Sequence, residues 1–251
     1  MTKTAQRIAK RIARAGLCSR RDAERMIAAG RVAIDGVPVT SPAINVTPTM
    51  RVSVDGTPLP EVGKTRLWRY HKPRGLVTSH RDPQERPTVF DVLPREIGRV
   101  ISVGRLDITS EGLLLLTNDG GLARQLELPS TGWVRRYRAR VHGHPEANQL
   151  AALGDGLNVD GMRYGPIRAS LDSQRGDNAW LTVALTEGKN REVRRALEHL
   201  GWQVNRLIRV AYGPFQLGKL EAGGLREVPA KVVAEQVAAD TPPKPDANRR
   251  R

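Results

Sequence analysis

Arg105 and Asp107 are the two residues whose types and spacing most directly suggest chemistry in this sequence. They lie between two short apolar runs, residues 100–103 and 113–117, which predict buried strands. On an extended backbone, side chains two residues apart leave the same face, so we expect the guanidinium and the carboxylate to pair. An acid held beside a cation at the edge of a core can act as a catalytic carboxylate, and the same spacing fits a structural ion pair that closes a loop.

A second candidate segment contains three arginines at the start of a predicted helix over residues 192–200. At 100° per residue its apolar side chains form one narrow stripe. Arg194 lies at the edge of that stripe and could reach a partly buried cavity, whereas Arg191 and Arg195 lie nearly opposite it. Cations at a helix N-terminus oppose the helix dipole, so an anion should compensate them. That anion could be Asp107 or the phosphate groups of a nucleic acid.

The charge of the chain indicates a polyanionic partner. The 251 residues include 41 Lys and Arg against 26 Asp and Glu, a net charge of +15. Nucleic acid is the first candidate for such a partner, and no long amphipathic basic helix favours a membrane surface. No apolar run reaches the ~18 residues of a membrane span, and the N-terminus lacks the apolar region of a secretory signal. We therefore expect a cytoplasmic protein that does not bind membranes.

Several other chemistries are disfavoured by missing motifs. A single cysteine, Cys18, excludes an intramolecular disulfide and a thiolate metal cluster. His142 and His144 have no third ligand nearby in the sequence, so we expect no metal site. The nucleophile elbow, the Walker A loop and the dinucleotide-binding glycine motif are all missing from the sequence. We therefore expect neither a metal nor a cofactor.

Residues 1–60 predict a small basic domain of two helices and a small β-sheet. The first helix should end at Gly16, and Ser19 is a plausible N-cap for the second. Asp-Gly pairs at residues 35–36 and 55–56 predict tight hairpins. The run at residues 15–36, Ala-Gly-Leu-Cys-Ser-Arg-Arg-Asp-Ala-Glu-Arg-Met-Ile-Ala-Ala-Gly-Arg-Val-Ala-Ile-Asp-Gly, resembles the S4 RNA-binding domain. The arginines that we expect to bind RNA here are Arg7, Arg11, Arg20, Arg21 and Arg25.

The rest of the chain predicts a larger α+β domain. After a short linker at residues 61–65, strands and helices mix over residues 66–236 without a regular βαβ alternation. We therefore expect a large, mostly antiparallel mixed sheet flanked by helices. The clearest strands are at 133–141 and 180–185, and the clearest helix is at 192–200. Residues 237–251, rich in proline and arginine, predict a disordered basic tail.

A family resemblance rests on motifs that occur in one order along the chain. The sequence is similar to the RsuA/RluB/RluE/RluF family of ribosomal RNA pseudouridine synthases, with the S4 domain where that family has it. The matching motifs are Lys72-Pro-Arg-Gly75, Asp82-Pro-Gln-Glu-Arg-Pro-Thr-Val-Phe-Asp-Val-Leu-Pro94, Gly104-Arg-Leu-Asp-Ile-Thr-Ser-Glu-Gly-Leu-Leu-Leu-Leu-Thr-Asn-Asp-Gly120, Arg136-Tyr137, Glu187-Gly-Lys-Asn-Arg-Glu-Val-Arg-Arg195 and Leu207-Ile-Arg-Val-Ala-Tyr-Gly-Pro214. The second motif is most similar to the RluB branch, whose members modify large-subunit RNA.

The resemblance implies a role for each of three residues. Asp107 would be the catalytic aspartate, Tyr137 the aromatic that stacks on the target base, and Arg194 the basic partner of the aspartate. We expect the substrate, ribosomal RNA of the large subunit (23S) or its precursor, to be bound by a monomer. Further contacts to RNA in this domain are expected from Lys72, Arg105, Arg191 and Arg195.

The implied reaction is the isomerisation of uridine, in which the N1–C1′ bond breaks and the base rejoins the ribose through C5. It requires no redox carrier, metal or phosphate donor, and it can use an ionised carboxylate. The residues alone do not distinguish attack on the base, attack on the sugar and removal of a ribose proton. The competing interpretation is a non-enzymatic RNA-binding or ribosome-assembly factor, which would not need Arg105 and Asp107 with Arg194 within reach.

Overall fold

A computed structural model describes residues 5–239. These residues divide into two units, the first made of residues 5–66 with Arg95–Ile101 and Asn118–Gly120, and the second of Leu67–Pro94, Ser102–Thr117 and 121–239. The predicted basic tail lies outside the described residues from residue 240 onward. None of the helices in the described part of the chain is long and apolar enough to cross a membrane.

The first unit contains two helices and two small sheets. Its strands β2, β3, β5 and β6 form an antiparallel sheet in the order β3-β2-β5-β6, and β1 pairs with β4. The elements are β1 (Gln6–Arg7), α1 (Ile8–Arg14), α2 (Arg20–Ala28), β2 (Val32–Ile34), β3 (Val37–Val39), β4 (Asn45–Val46), β5 (Val52–Val54) and β6 (Thr57–Pro58). This is the predicted arrangement of two helices and a small sheet, with β1 and β4 added.

Local sequence signals position these elements. The hydroxyl of Ser19 accepts a hydrogen bond from the backbone N–H of Asp22 at 3.1 Å, which makes Ser19 the N-cap of α2 as predicted. Asp35 and Gly36 both adopt positive φ, as a two-residue hairpin turn requires. Ile12 and Ile27 have no exposed surface in the core of this unit. Burial of each such side chain contributes about 1.5–3 kcal/mol.

The second unit is built on a large sheet with helices α3 to α6. Its elements are β7 (Leu67–Lys72), β8 (Ile101–Val103), β9 (Glu111–Thr117), α3 (Gly120–Glu127), β10 (Arg135–His142), α4 (Ala147–Ala152), β11 (Leu157–Val159), β12 (Met162–Tyr164), β13 (Arg168–Arg175), β14 (Asn178–Leu185), α5 (Glu192–His199), β15 (Gln203–Tyr212), β16 (Phe215–Gln216), β17 (Leu225–Glu227) and α6 (Ala230–Ala239).

The large sheet is mixed and mostly antiparallel, which confirms the predicted fold class. Its strand order is β13-β14-β10-β15-β9-β7-β17, with β8 beside β9 and β16 beside β15. The pairing of β15 with β9 is parallel. At this pairing Gly112 has φ 106°, and a Cβ there would lie 2.3 Å from the carbonyl oxygen of Arg209. Only glycine allows the two strands to approach so closely.

Strand β10 lies between β14 and β15 and alternates strictly between its two faces. Tyr137, Ala139 and Val141 are buried on one face, whereas Arg136 and Arg138 are exposed on the other. The alternation of basic and apolar residues predicted a half-exposed strand here, and the structure has one. The two faces of this strand carry two different sets of functional groups.

Candidate active site

The loop between β8 and β9 carries Asp107. Gly104 ends β8 with φ 65°, so the chain leaves the extended conformation there. The hydroxyl of Thr78 holds the loop backbone by donating to the carbonyl oxygen of Leu106 at 2.9 Å. The N–H of Gly75 donates to the carbonyl oxygen of Ile108 at 2.8 Å. Hydrogen bonds to main-chain groups therefore fix this loop without using the carboxylate of Asp107.

Lys72 is a buried cation beneath the same loop. Its side chain has no exposed surface, and Nζ donates to the carbonyl oxygens of Pro73, Asp107 and Ser110 at 3.0, 3.2 and 2.9 Å. Burial lowers the pKa of Lys72 to about 8, and the charges of Asp107 and Glu111 oppose that shift. Lys72 was predicted to contact RNA, and in this structure its ammonium group is enclosed by protein and bonded to three carbonyl oxygens. Lys72 instead positions the loop.

Arg194 is a second buried cation near Asp107. Its side chain is 5% exposed, and it donates to the carbonyl oxygen of Val204 at 2.8 Å and to that of Thr109, in the Asp107 loop, at 3.2 Å. Burial lowers the pKa of Arg194 from its ordinary value, the charge of Arg191 lowers it further, and the charge of Asp107 raises it. Arg194 thus acts on the loop through its backbone and on the carboxylate through its charge.

The carboxylate of Asp107 itself makes no hydrogen bond or ion pair with any residue in 5–239. The predicted pair between Arg105 and Asp107 is therefore not formed. The prediction assumed an extended backbone, but Gly104 turns the chain and the N–H of Ser110 closes a turn onto the carbonyl oxygen of Asp107 at 3.0 Å. The result is a half-buried carboxylate available to a ligand.

Asp107 lines a cleft of about 940 Å³. Tyr137, 9% exposed, lines the same cleft from the central strand β10. The exposed side chains of Arg105 and Arg191 also line it. The cleft can therefore hold an aromatic ring on Tyr137 while the carboxylate of Asp107 faces the same space. A nucleotide base is a ligand of this shape and chemistry.

Arg209 is a cleft residue that sequence reasoning missed. It lies directly opposite Tyr137 across the pairing of β10 with β15, and its side chain is 3% exposed. Its Nε donates to the carbonyl oxygen of Leu113 at 2.8 Å, but one terminal nitrogen has no partner within the described residues. A buried donor without a partner is costly, so this nitrogen is suited to an acceptor on a bound ligand. Its position in the quoted motif at 207–214 was the only sequence signal.

The segment 188–193 forms another wall of the cleft, and a buried carboxyl group within it bonds to its backbone. Glu192 is 3% exposed and accepts a hydrogen bond from the backbone N–H of Lys189 at 2.8 Å. Its other oxygen has no partner within residues 5–239. Burial raises the pKa of Glu192 to about 7, although the bond from Lys189 opposes the shift. Arg191, just before α5, has the unusual φ of 51°, which directs the chain into the helix.

The remaining predicted residues lie elsewhere. Arg195 is half-buried on α5 and does not line the cleft. The predicted RNA-binding residues of the first unit include exposed Arg20 and Arg21 in α2. Arg25 pairs with Asp22, and Arg7 donates to the carbonyl oxygen of Ala43. Arg11 is half-buried on α1.

The charge arrangement of the cleft suits carboxylate chemistry on a bound nucleotide. The charge of Asp107 interacts with the buried cations Lys72 and Arg194, and no group within residues 5–239 bonds to its carboxylate oxygens, so these oxygens are available to act on a bound ligand. Within residues 5–239 no group of three or more His, Cys, Asp or Glu side chains could hold a metal ion.

Comparison with known proteins identifies both units. The family described as RNA pseudouridylate synthase matches residues 66–199, and the S4 domain matches residues 6–52. An uncharacterized RNA pseudouridine synthase of Rickettsia conorii is 48% identical over 90% of this chain and 98% of its own length. The ribosomal large subunit pseudouridine synthase B of Salmonella typhi is 42% identical over 89% of this chain and 79% of its own length.

A solved structure gives the same result. The chain described as "Crystal structure of pseudouridylate synthase" has a TM-score of 0.64 and 26% identity, and the match covers 92% of this chain and 99% of that one. The resemblance predicted from the ordered motifs, including the N-terminal S4 domain, is thereby confirmed.

Proposed function

This chain belongs to the RNA pseudouridylate synthase family, and we propose that it converts one specific uridine of large-subunit ribosomal RNA to pseudouridine with Asp107 as the catalytic carboxylate. The observation that carries this proposal is the position of the Asp107 carboxylate. It is free of protein partners within residues 5–239, and it shares a cleft with Tyr137. A loop built only for stability would have no reason to leave a half-buried acid unpaired beside two buried cations.

The reaction is an internal rearrangement that balances without a second substrate. The N1–C1′ bond breaks, the base turns within the cleft, and C5 bonds to C1′. The proton on C5 leaves, and N1 gains one, so no electrons are exchanged with another molecule. Asp107 supplies the ionised group that acts on the nucleoside. Lys72 and Arg194 keep its loop in place through the carbonyl oxygens of residues 107, 109 and 110.

Tyr137 offers a stacking surface for the uracil ring. A uridine within folded RNA must first leave its stack, which costs a few kcal/mol. Stacking on an aromatic side chain returns about 1–3 kcal/mol. The ring of Tyr137 is nearly buried in the cleft wall, so it is held in place before the base arrives. The remaining cost falls to contacts with the phosphate backbone.

Binding of ribosomal RNA involves both units in this proposal. The exposed arginines of α2 in the S4 domain and the net charge of +15 favour a folded polyanion. We assign the RNA to the large subunit because the Salmonella typhi relative is a ribosomal large subunit pseudouridine synthase. The protein is proposed to act as a cytoplasmic monomer.

The test replaces Asp107 by the nearly isosteric but uncharged asparagine. Asp107→Asn should abolish pseudouridine formation in a large-subunit RNA transcript while leaving RNA affinity near that of the wild type. The matched control is Asp160→Asn, because Asp160 is exposed in the turn between β11 and β12 and has a φ of 52° that asparagine tolerates. Pseudouridine mapping and filter binding measure the two properties. Turnover by Asp107→Asn would refute the assignment, and a wild type that binds RNA without modifying it would favour the non-enzymatic RNA-binding factor.

A further inference from the structure

The face of the sheet opposite the cleft is exposed and rich in arginine. Across β13, β14 and β10 the register is antiparallel, so the residues that share a face follow directly from it. Arg136, Arg138 and Arg140 lie opposite Ala184, Thr182 and Trp180. The arginines of this face are Arg136, Arg138 and Arg140 on β10, Arg168 and Arg175 on β13, and Arg206 on β15, and together we call them the outer arginine face. All of these side chains are exposed.

Acidic neighbours neutralise only part of this charge. Arg206 forms a bidentate pair with Glu111 at 2.7 and 3.1 Å. Arg138 lies 3.6 Å from Asp172, which also accepts a hydrogen bond from Thr182. The other members of the outer arginine face make no ion pair with any residue in 5–239: Arg136, Arg140, Arg168 and Arg175.

The arrangement is unfavourable for an ordinary solvated surface. Arg140 lies directly opposite Arg206 in the register of β10 and β15, and like charges that face each other across strands are destabilising; Glu111 offsets part of this repulsion through its pair with Arg206. Solvated faces normally mix both signs of charge. An anion bound over these strands would remove the repulsion. Side chains two residues apart on β10 repeat at roughly 7 Å, so they can follow an extended chain of charges.

We propose that the outer arginine face binds the phosphate backbone of the RNA substrate, away from the nucleotide held in the cleft. The proposal rests on the proposed function, since it takes RNA as the substrate. Arginine presents a planar fork that matches phosphate, and this face carries arginine without lysine. Contacts to phosphate position an RNA without reading its sequence.

The position of Trp180 on this face favours contacts with RNA phosphates over contacts with RNA bases. The guanidinium of Arg138 lies 4.7 Å from the ring centroid of Trp180, so it covers the surface on which a base would stack. Among the residues that the structure describes, this face also has no exposed aromatic side chain of the kind that centres many protein interfaces. RNA phosphate is therefore favoured over both a stacked base and a protein partner.

The test uses the double variant Arg140→Gln/Arg175→Gln of the full-length protein. Both residues are exposed and form no ion pair with any residue in 5–239, so the fold should be retained, and a thermal melt checks this. Filter binding to an unmodified large-subunit ribosomal RNA transcript is measured from about 50 to about 200 mM salt. We expect binding at least about tenfold weaker, and a slope of log affinity against log salt that is smaller by about 1.4 to 1.8.

The matched control is Lys219→Glu/Arg226→Glu, which removes more positive charge from two exposed positions elsewhere in the second unit. Its slope of log RNA affinity against log salt should be nearly that of the wild type. In the outer-face double variant, KM for pseudouridine formation should rise while kcat stays unchanged. A raised KM with an unchanged kcat tests only the outer arginine face. The proposed function is tested separately, because it fails if the wild-type protein forms no pseudouridine.

Three results would overturn the inference. The first is that the outer-face double variant binds RNA with the affinity of the wild type and with the same slope of log affinity against log salt. Another is an equal loss in the control, which would mean that total charge rather than this face governs binding. The third is unchanged binding to protein-free RNA together with weaker binding to ribosomal particles, which would assign the face to a protein partner.

Discussion

The cations on the two faces of β10 differ in their exposure to solvent. On the cleft side three cations are buried: Lys72, Arg194 and Arg209 donate to main-chain carbonyl oxygens. On the other side the arginines are exposed, and several have no partner within residues 5–239. A buried charge acts strongly at short range and is little affected by salt, whereas an exposed charge is screened beyond about 10 Å at 0.1 M salt.

If the proposed function and the proposed RNA contact of the outer face both hold, this difference separates RNA binding from catalysis. Lys72 and Arg194 hold the loop of Asp107 through its main-chain carbonyl oxygens, so in the proposed function they act on the nucleotide bound in the cleft. The exposed arginines can act over a long stretch of polyanion and supply affinity that depends on salt. Substitutions on the cleft side should therefore change turnover, stability and pH dependence. Substitutions on the outer side should change RNA affinity with little effect on the fold.

The largest effect should come from Arg194→Ala. Its guanidinium holds the carbonyl oxygen of Thr109 and acts by charge on Asp107, so its loss should lower kcat by about 10²–10³-fold, or about 3–4 kcal/mol. Arg191→Ala removes an exposed side chain at the cleft edge and should mainly raise KM. Steady-state kinetics over a range of RNA concentrations, which gives kcat and KM separately, distinguishes the two. Equal losses of kcat would contradict the distinction between a buried and an exposed cation at this helix.

A second large effect concerns stability and pH. The folded pKa of Glu192, about 7, is above its ordinary value of 4.5, so the folded protein binds more protons than the unfolded chain between those values. The protonated Glu192 side chain therefore adds to the free energy of unfolding. This stabilisation is fully present below pH 4.5 and is lost as pH rises through 7, a decrease of about 3 kcal/mol in total. Urea unfolding at a series of pH values measures the loss.

Glu192→Gln should flatten this pH dependence, because glutamine keeps the acceptor oxygen for the N–H of Lys189 without the titration. The exposed control Glu221→Gln should follow the wild type. If Glu192→Gln keeps the full pH dependence of the wild type, a different group titrates in this window.

The sequence allowed prediction of the elements that have local signals. The alternation in β10, the Ser19 cap of α2 and the apolar runs of β8 and β9 all depend on neighbours within a few residues. The very short strands β1, β4 and β17 were missed, because two or three residues carry no periodicity and their pairing partners are distant in sequence.

The candidate site was predictable as a set of residues but not as a geometry. Of the three residues that the family resemblance singled out, Asp107 and Tyr137 line one cleft, and Arg194 does not line it but donates to the loop that carries Asp107. The role of Lys72 could not be foreseen, because its acceptors at residues 107 and 110 lie more than thirty positions along the chain. The expected pair of Arg105 with Asp107 failed because a single glycine turned the backbone.

A smaller effect should appear in the alkaline pH profile. Lys72 has a pKa of about 8, so above that pH its ammonium loses a proton and no longer balances the charge of Asp107. We expect kcat/KM to fall by about tenfold per pH unit above that value. Lys72→Met should be less active and should lack this decline. A decline that persists in Lys72→Met would mean that another group is responsible.

The smallest effect should come from the outer side of the same strand. Arg138→Ala removes an exposed ion pair with Asp172 and the contact with Trp180, and such contacts contribute about 1 kcal/mol or less. Urea unfolding should therefore show a loss within that range, and kcat on the RNA transcript should remain that of the wild type. The effect on stability should be much smaller than the loss expected for Glu192 across its pH window. A loss of several kcal/mol would mean that the outer arginines hold the sheet together, and the contrast between the two faces of β10 would no longer stand.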